Sequence, residues 1–217
     1  MSGYSDLLLL VVLVLDLYII YTSRISSCIK ASALQGAALA LLPVIHYWET
    51  AVADPIHIFI MTSSTLSLKA IAIPLLLMRA LRNVQVRRDV EPFVSLHVSV
   101  LLAGFLVGMS FWLAKVLAMP VTGTLHLFVP AAFATLLIGF LVLVTRRKAI
   151  TQVIGYLLVE NGAYVFGQSV AAQMPFVVEL GLLLDLLVGV FVMGIVIHQI
   201  KHEFDHIDVG QLNLLKG

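Results

Sequence analysis

Three charged residues of this chain fall near mid-depth in long apolar runs: Lys69, Glu160 and Asp185. A buried carboxyl group can load and release a proton, because burial favours its neutral form and a nearby ammonium favours its ionised form. An acid or a lysine at the centre of a membrane span costs on the order of 2.5–3.5 kcal/mol, so such groups face a bundle interior and mark proton or ion paths by default. Glu160 follows the basic cluster Arg146-Arg147-Lys148 by roughly 18 Å of helical rise. That places it near the middle of a ~30 Å hydrocarbon core. At i, i+4 spacing Gln152, Tyr156, Glu160, Tyr164 and Gln168 share one face, a hydrogen-bonding strip that cannot be turned toward lipid.

Lys69 lies at mid-depth in its own span, with Thr62 and Thr65 on its face and Pro74 following. The proline frees a backbone carbonyl inside the bundle. Asp185, flanked at i−4 and i+4 by Gly181 and Gly189, sits on a face that admits a neighbouring helix close to its carboxylate. A structural reading stands beside the functional one: the lysine pairs with one acid, hydrogen bonds hold the other neutral, and all three only fix helix register. Asp16 in the first span and Glu179 near the outer end of the last either join the same network or reach an interface. With Tyr156 from the strip, the candidate proton or ion path therefore comprises Glu160, Asp185, Lys69, Tyr156, Glu179 and Asp16.

The elements that must position these groups follow from composition. With 61% hydrophobic and 12% charged residues over 217 positions and a mean hydropathy of +1.07, the chain reads as an all-α, polytopic integral membrane helix bundle forming a single membrane domain, 1–217. The apolar runs predict about seven transmembrane helices, at 5–22, 31–48, 56–80, 93–118, 124–145, 149–172 and 175–200. Basic residues occupy alternate connections: Arg24 and Lys30, then Arg79 to Arg88, then Arg146 to Lys148, then Lys201 and Lys216. By the positive-inside rule the N-terminus is outside and the tail 201–217 is cytoplasmic. Pro55, Pro92 and Pro175 mark span starts, and Pro120 closes the fourth span, consistent with proline's tolerance in a first turn. The first apolar run lacks a basic leader and a small-residue cleavage site, so it is expected to remain in the mature protein.

Other chemistry is thinly represented. The single cysteine, Cys28, excludes an internal disulfide and a thiolate-held zinc or iron-sulfur site built within the chain, and reads as a small buried filler. Lys115 snorkels from near a span end. His46, His57, His97 and His126 lie toward span ends without a second histidine one turn away, and His198, His202 and His206 fit an exposed helix leaving the membrane better than a metal site. No phosphate-binding loop, nucleophile-base order or redox motif is present, so the chain alone is not expected to be catalytic.

The whole chain resembles component E of the hydrogenase 4 and formate hydrogenlyase type of membrane complexes. The resemblance is carried by Arg24-x-x-x-Cys28, Lys69-x-x-x-x-Pro74-Leu75, Gln152-x-x-Gly155-Tyr156-x-x-x-Glu160-Asn161-Gly162, Glu179-x-Gly181-x-x-x-Asp185 and the end Asp208-Val-x-x-Leu212-x-x-Leu215-Lys216-Gly217. The portion 146–217 is also similar to the K subunit of respiratory complex I and the C subunit of multisubunit cation/proton antiporters. Where the K-type pattern has its first glutamate this chain has Leu157, with the acid one turn on at Glu160, and the second K-type glutamate falls on Asp185. The resemblance implies a cofactor-free membrane subunit of a complex I-like, energy-converting nickel-iron hydrogenase in the cytoplasmic (inner) membrane, moving protons or sodium in step with redox chemistry. Its implied partners are antiporter-like and other membrane subunits, the bilayer, and peripheral hydrogenase subunits that hold the nickel-iron centre and iron-sulfur clusters. No nucleic acid is implied. An antiporter-complex subunit, another complex I-like oxidoreductase subunit and a purely structural scaffold remain the alternatives.

Overall fold

The computed structural model describes residues 3–50, 55–83, 93–117 and 127–170, with Gly194. These form helices α1 (Gly3–Tyr21), α2 (Ile25–Thr50), α3 (Pro55–Thr65), a wider helical segment Leu66–Ala72 that runs into α4 (Ile73–Asn83), α5 (Leu96–Val116), α6 (Phe128–Thr145) and α7 (Ala149–Val170). The chain is an all-α bundle of membrane type. Five stretches are long and apolar enough to cross a bilayer: Gly3–Tyr21, Ile25–Ile45, Ile58–Leu81, Leu96–Val116 and Phe128–Thr145. Helix α7 is 22 residues long but is not among those five, because its polar strip lowers its hydropathy. The span expected at 175–200, with Glu179 and Asp185, lies outside the described residues, as do Pro120 and the histidines from 198 onward.

Observed limits differ from the expected ones in two instructive places. Helix α2 starts at Ile25 rather than 31, so Lys30 is an exposed position on the helix instead of its boundary. The third span is a single path interrupted by Leu66–Ala72, where the Ile73 N–H bonds back to the Leu68 carbonyl. That i to i−5 register has a local cause. Pro74 lacks an N–H, and its ring would crowd the carbonyl four residues earlier, so the ladder widens by one residue ahead of it.

Helices α6 and α7 form an antiparallel hairpin at near-backbone contact. A Cβ on Gly139 would lie 2.6 Å from the Val159 nitrogen, and one on Gly162 would lie 2.7 Å from that of Leu136. Only glycine permits this approach. At the turn between them Arg146 is buried and donates from Nη2 to the Ile20 carbonyl at 2.7 Å, satisfying an orphan acceptor at the C-terminal end of α1. Its neighbour Arg147 lies over the Phe93 ring, 4.3 Å from the centroid, while the Phe93 N–H bonds the Thr145 carbonyl at 2.8 Å. The start of α5 is thereby tied to the end of α6.

Two apolar clusters make the core. One joins Ile19 and Ile20 of α1, Ile25 to Ala31 of α2, Ile138 and Val142 of α6, and Ile150 to Leu158 of α7, together with Ile73, Leu77 and Ala80 of α4. The other joins Leu9 to Leu13, Ala38 to Leu42, Phe128 to Ala134, and Tyr164 with Val165 on the same four helices α1, α2, α6 and α7. On each of those helices the gap between clusters is between about one and two turns. Apart from Gly36 and Gly162, the buried residues in the gaps are polar: Asp16, Ser32 with Gln35, Thr135, and Glu160 with Asn161. A single polar layer is thus sealed between two apolar ones, and the wide turn of the third span delivers Lys69 into it.

Candidate functional site

Lys69 enters the layer because α2 can lie against its backbone. A Cβ on Gly36 would stand 2.8 Å from Lys69 Cβ and 2.9 Å from its carbonyl carbon, so the position next to Gln35 must carry no side chain. The Lys69 side chain is 3% exposed and forms an ion pair with Glu160 Oε1. Its ammonium also donates to Asn161 Oδ1 at 3.2 Å and lies 4.7 Å from the centroid of the Tyr164 ring, a cation–π geometry. Thr65, one turn earlier, is buried and Thr62 half-buried, as the expected lysine face requires.

From Asn161 the contacts continue across the bundle. Asn161 Nδ2 donates to Gln35 Oε1 at 3.3 Å, and Gln35 Nε2 donates to Asp16 Oδ1 at 2.8 Å. Thr135 Oγ1 donates to the other Asp16 oxygen at 2.7 Å. Asp16 and Gln35 are fully buried. The orientation of both amides follows from the ends of the chain. An ammonium only donates, so Asn161 must present its oxygen to Lys69 and its nitrogen to Gln35. Gln35 then has only its nitrogen left for Asp16. All the donors point the same way, from the lysine toward the aspartate.

Breaking one side of a buried ion pair by removing its partner costs about 3–5 kcal/mol, because the remaining charge is left uncompensated. Among the described residues the layer holds one cation and two carboxyl groups. It is electrically neutral when the two acids share one proton, and carries one negative charge when that proton leaves. Chemically, a set of this composition can exchange one proton against a built-in counter-ion, in an enclosure of low polarisability where each charge change is felt strongly.

The structure brings together Glu160, Lys69 and Asp16 from the expected path residues. Tyr156 is half-buried against the first apolar cluster and stands one turn from the layer. Of the rest of the strip, Tyr164 is buried beside Lys69, Gln168 is half-buried, and Gln152 is exposed, its amide donating to the Arg146 carbonyl at 3.2 Å. Among the described residues the strip is therefore covered only over part of its length. Asp185 and Glu179 fall outside the described residues. Cys28 is buried and its thiol faces the Ile19 carbonyl at 3.8 Å. Among the described residues no cluster of three metal-ligating side chains occurs. Sequence reasoning missed Gln35 and Thr135 and gave Asn161 no role. The available signal was a polar side chain at the depth of Asp16 in each of two otherwise apolar helices.

Similarity to known proteins extends over most of the chain. It aligns at 30% identity over 200 residues with the uncharacterized protein Rv0085 of Mycobacterium tuberculosis, covering 91% of this chain and 89% of that one. Hydrogenase-4 component E of Escherichia coli K12 aligns at 27% identity over 161 residues, 74% of each chain. The Shigella flexneri protein of the same name aligns to the same extent. No family model matches, and no solved structure matches.

Proposed function

Because the chain belongs to the hydrogenase-4 component E family, we propose that it is a membrane subunit of a complex I-like, energy-converting nickel-iron hydrogenase and supplies part of a proton or sodium path driven by redox turnover. The observation that carries this reading is the buried Lys69–Glu160 pair within a polar layer closed off by apolar packing. An intramembrane ion pair is costly unless used. Glu160 exchanges the proton, Lys69 sets its charge balance, and Asp185, on the following predicted span, is the next acid in line. Tyr156 and Glu179 extend the route toward either side. The nickel-iron centre and iron-sulfur clusters belong to peripheral partner subunits, since one buried cysteine in this chain cannot ligate them. Antiporter-like subunits of the cytoplasmic membrane are the lateral neighbours.

The test is Glu160→Gln in the intact complex in membrane vesicles. Hydrogen oxidation with an artificial dye should persist, while ion movement linked to turnover should fall at least tenfold. Undiminished ion movement would overturn the reading. A second reading, that the layer only fixes helix register, is favoured by the way its side chains bond one another across four helices and the third span. It gains if Glu160→Gln abolishes assembly instead of coupling.

A further inference from the structure

Besides Lys69, one further cation is buried among the described residues: Arg146, 2% exposed, in the turn between α6 and α7. Only one side of its guanidinium group is accounted for. Nη2 donates to the Ile20 carbonyl at 2.7 Å, while Nη1 is buried and has no acceptor in the protein. An unsatisfied donor on a buried charged group costs more than one on a neutral group. A cavity of about 10 Å³ adjoins it, lined by Ile19, Cys28, Val142, Arg146, Thr151 and Ile154, where α1 and α6 end and α2 and α7 begin. We propose that this cavity is a binding site for a single ordered water molecule, which accepts from Arg146 Nη1 and donates to Thr151 Oγ1 and to the Ile19 carbonyl.

The first argument is size. A water needs at least ~10–15 Å³ and two to four polar partners, so the cavity takes one such molecule and no polyatomic anion. The side chains of Val142 and Ile154 close the remaining walls and offer the water nothing further.

The second argument is the sense of the hydrogen bonds. Thr151 spends its hydroxyl proton on the Lys148 carbonyl at 2.6 Å, so any further bond to its oxygen is one that it accepts. The Ile19 carbonyl belongs to the last turn of α1, where acceptors lack helical donors. Its neighbours in that turn are satisfied, Tyr18 by the Thr22 N–H at 2.9 Å and Ile20 by Arg146. Ile19 has the Cys28 thiol at 3.8 Å, a weak donor. The site therefore offers one strong donor and two acceptors. A halide would face both acceptors, and a cation would face the guanidinium. Water accepts and donates at once, and one accepted bond with two donated ones is the usual complement of a buried water. The helices so joined, α1, α2, α6 and α7, are those that carry the polar layer, yet the site is separate from the Lys69–Glu160 pair and does not rest on the ion-path reading.

The experiment is a density map of the intact complex at a resolution that shows ordered water elsewhere in its membrane part. Single-atom density within hydrogen-bond distance of Arg146 Nη1, Thr151 Oγ1 and the Ile19 carbonyl is expected. It should persist in Thr151→Ser and fall to less than half its height in Thr151→Val. A dry cavity in such a map overturns the proposal, as does density indifferent to Thr151→Val. An anomalous peak there in crystals grown with bromide would show an anion in place of water and overturn it as well. Melting gives a second measurement. Arg146 and Thr151 share no direct hydrogen bond, so the water is what couples them. The drop in Tm for Arg146→Met with Thr151→Val should be smaller than the sum of the two single drops. Loss of the Thr151 bond to Lys148 occurs in both backgrounds and cancels, and additive drops would overturn the bridge. If Arg146→Met fails to assemble, the density in native, Thr151→Ser and Thr151→Val complexes still decides.

Discussion

Gly36→Ala adds one methyl group at the tightest point of the site. Its carbon would sit 2.8 Å from Lys69 Cβ, 2.9 Å from the Lys69 carbonyl carbon and 3.0 Å from the carbonyl oxygen. Carbon atoms settle at about 3.5–4.0 Å, so the wide turn must withdraw by at least ~0.7 Å. Backbone, not a flexible side-chain end, has to give. Taken along the Lys69–Asn161 direction, such a shift carries that 3.2 Å hydrogen bond out of the normal range. Overpacking of this kind costs about 1–3 kcal/mol. Alanine also raises helix propensity by ~0.8–1 kcal/mol over glycine, which must be removed from the comparison. Gly104→Ala does that, since nothing lies within 4 Å of a Cβ built there. The assay is thermal unfolding of the purified complex in detergent, alongside turnover-linked ion movement. Gly36→Ala should melt below Gly104→Ala and lose coupling, while Gly104→Ala should match or slightly exceed the native protein. Equal melting of the two variants would refute the close approach of α2 to Lys69.

Three further outcomes follow from the same contacts. Thr135→Val keeps the shape but removes a hydrogen-bond partner of Asp16, a loss of about 1–3 kcal/mol for a buried polar group left unsatisfied; Thr135→Ser should recover most of it in the same melting assay. Arg146→Met should destabilise the α1 terminus by a similar ~1.5–3 kcal/mol through loss of the bond to Ile20, seen as faster hydrogen exchange at the end of α1, and unchanged exchange would count against it. For topology, a cysteine at position 121 should label only from outside and one at position 85 only from the cytoplasm. The buried Cys28 gives these experiments a low background, and the reverse pattern would invert the assignment.

The sequence made the charged members of the site legible because a charge in an apolar run is conspicuous by itself. Glu160 and Lys69 stood out on that ground, and their pairing was one arrangement among those open to them. Asp16 was undecided between network and interface. Its partners, Gln35 and Thr135, are ordinary polar residues 19 and 119 positions away, and no spacing rule links residues on separate helices. The bundle class and five of its spans followed from hydropathy, while the early start of α2 was obscured by Lys30, whose exposure lets a charge ride on the helix rather than end it. Pro74 announced a disturbed ladder, but that the disturbance would be a widened turn placing Lys69 against Gly36 depends on the packing of α2. Coverage of the polar strip was likewise a tertiary matter, and among the described residues it stops short of Gln152.

The sealed polar layer also has an electrical consequence. Its members come from four helices and the third span and lie between the two apolar clusters, so charge displaced among them would travel across the helices rather than along them. A full crossing of the membrane is worth about 2.3 kcal/mol per elementary charge per 100 mV, and a movement within one level collects almost none of it. Steps inside this layer would then be nearly blind to voltage. On the proposed ion-path reading, work against the membrane potential would be done where ions enter and leave the layer, and the layer would serve as a level crossing between those places.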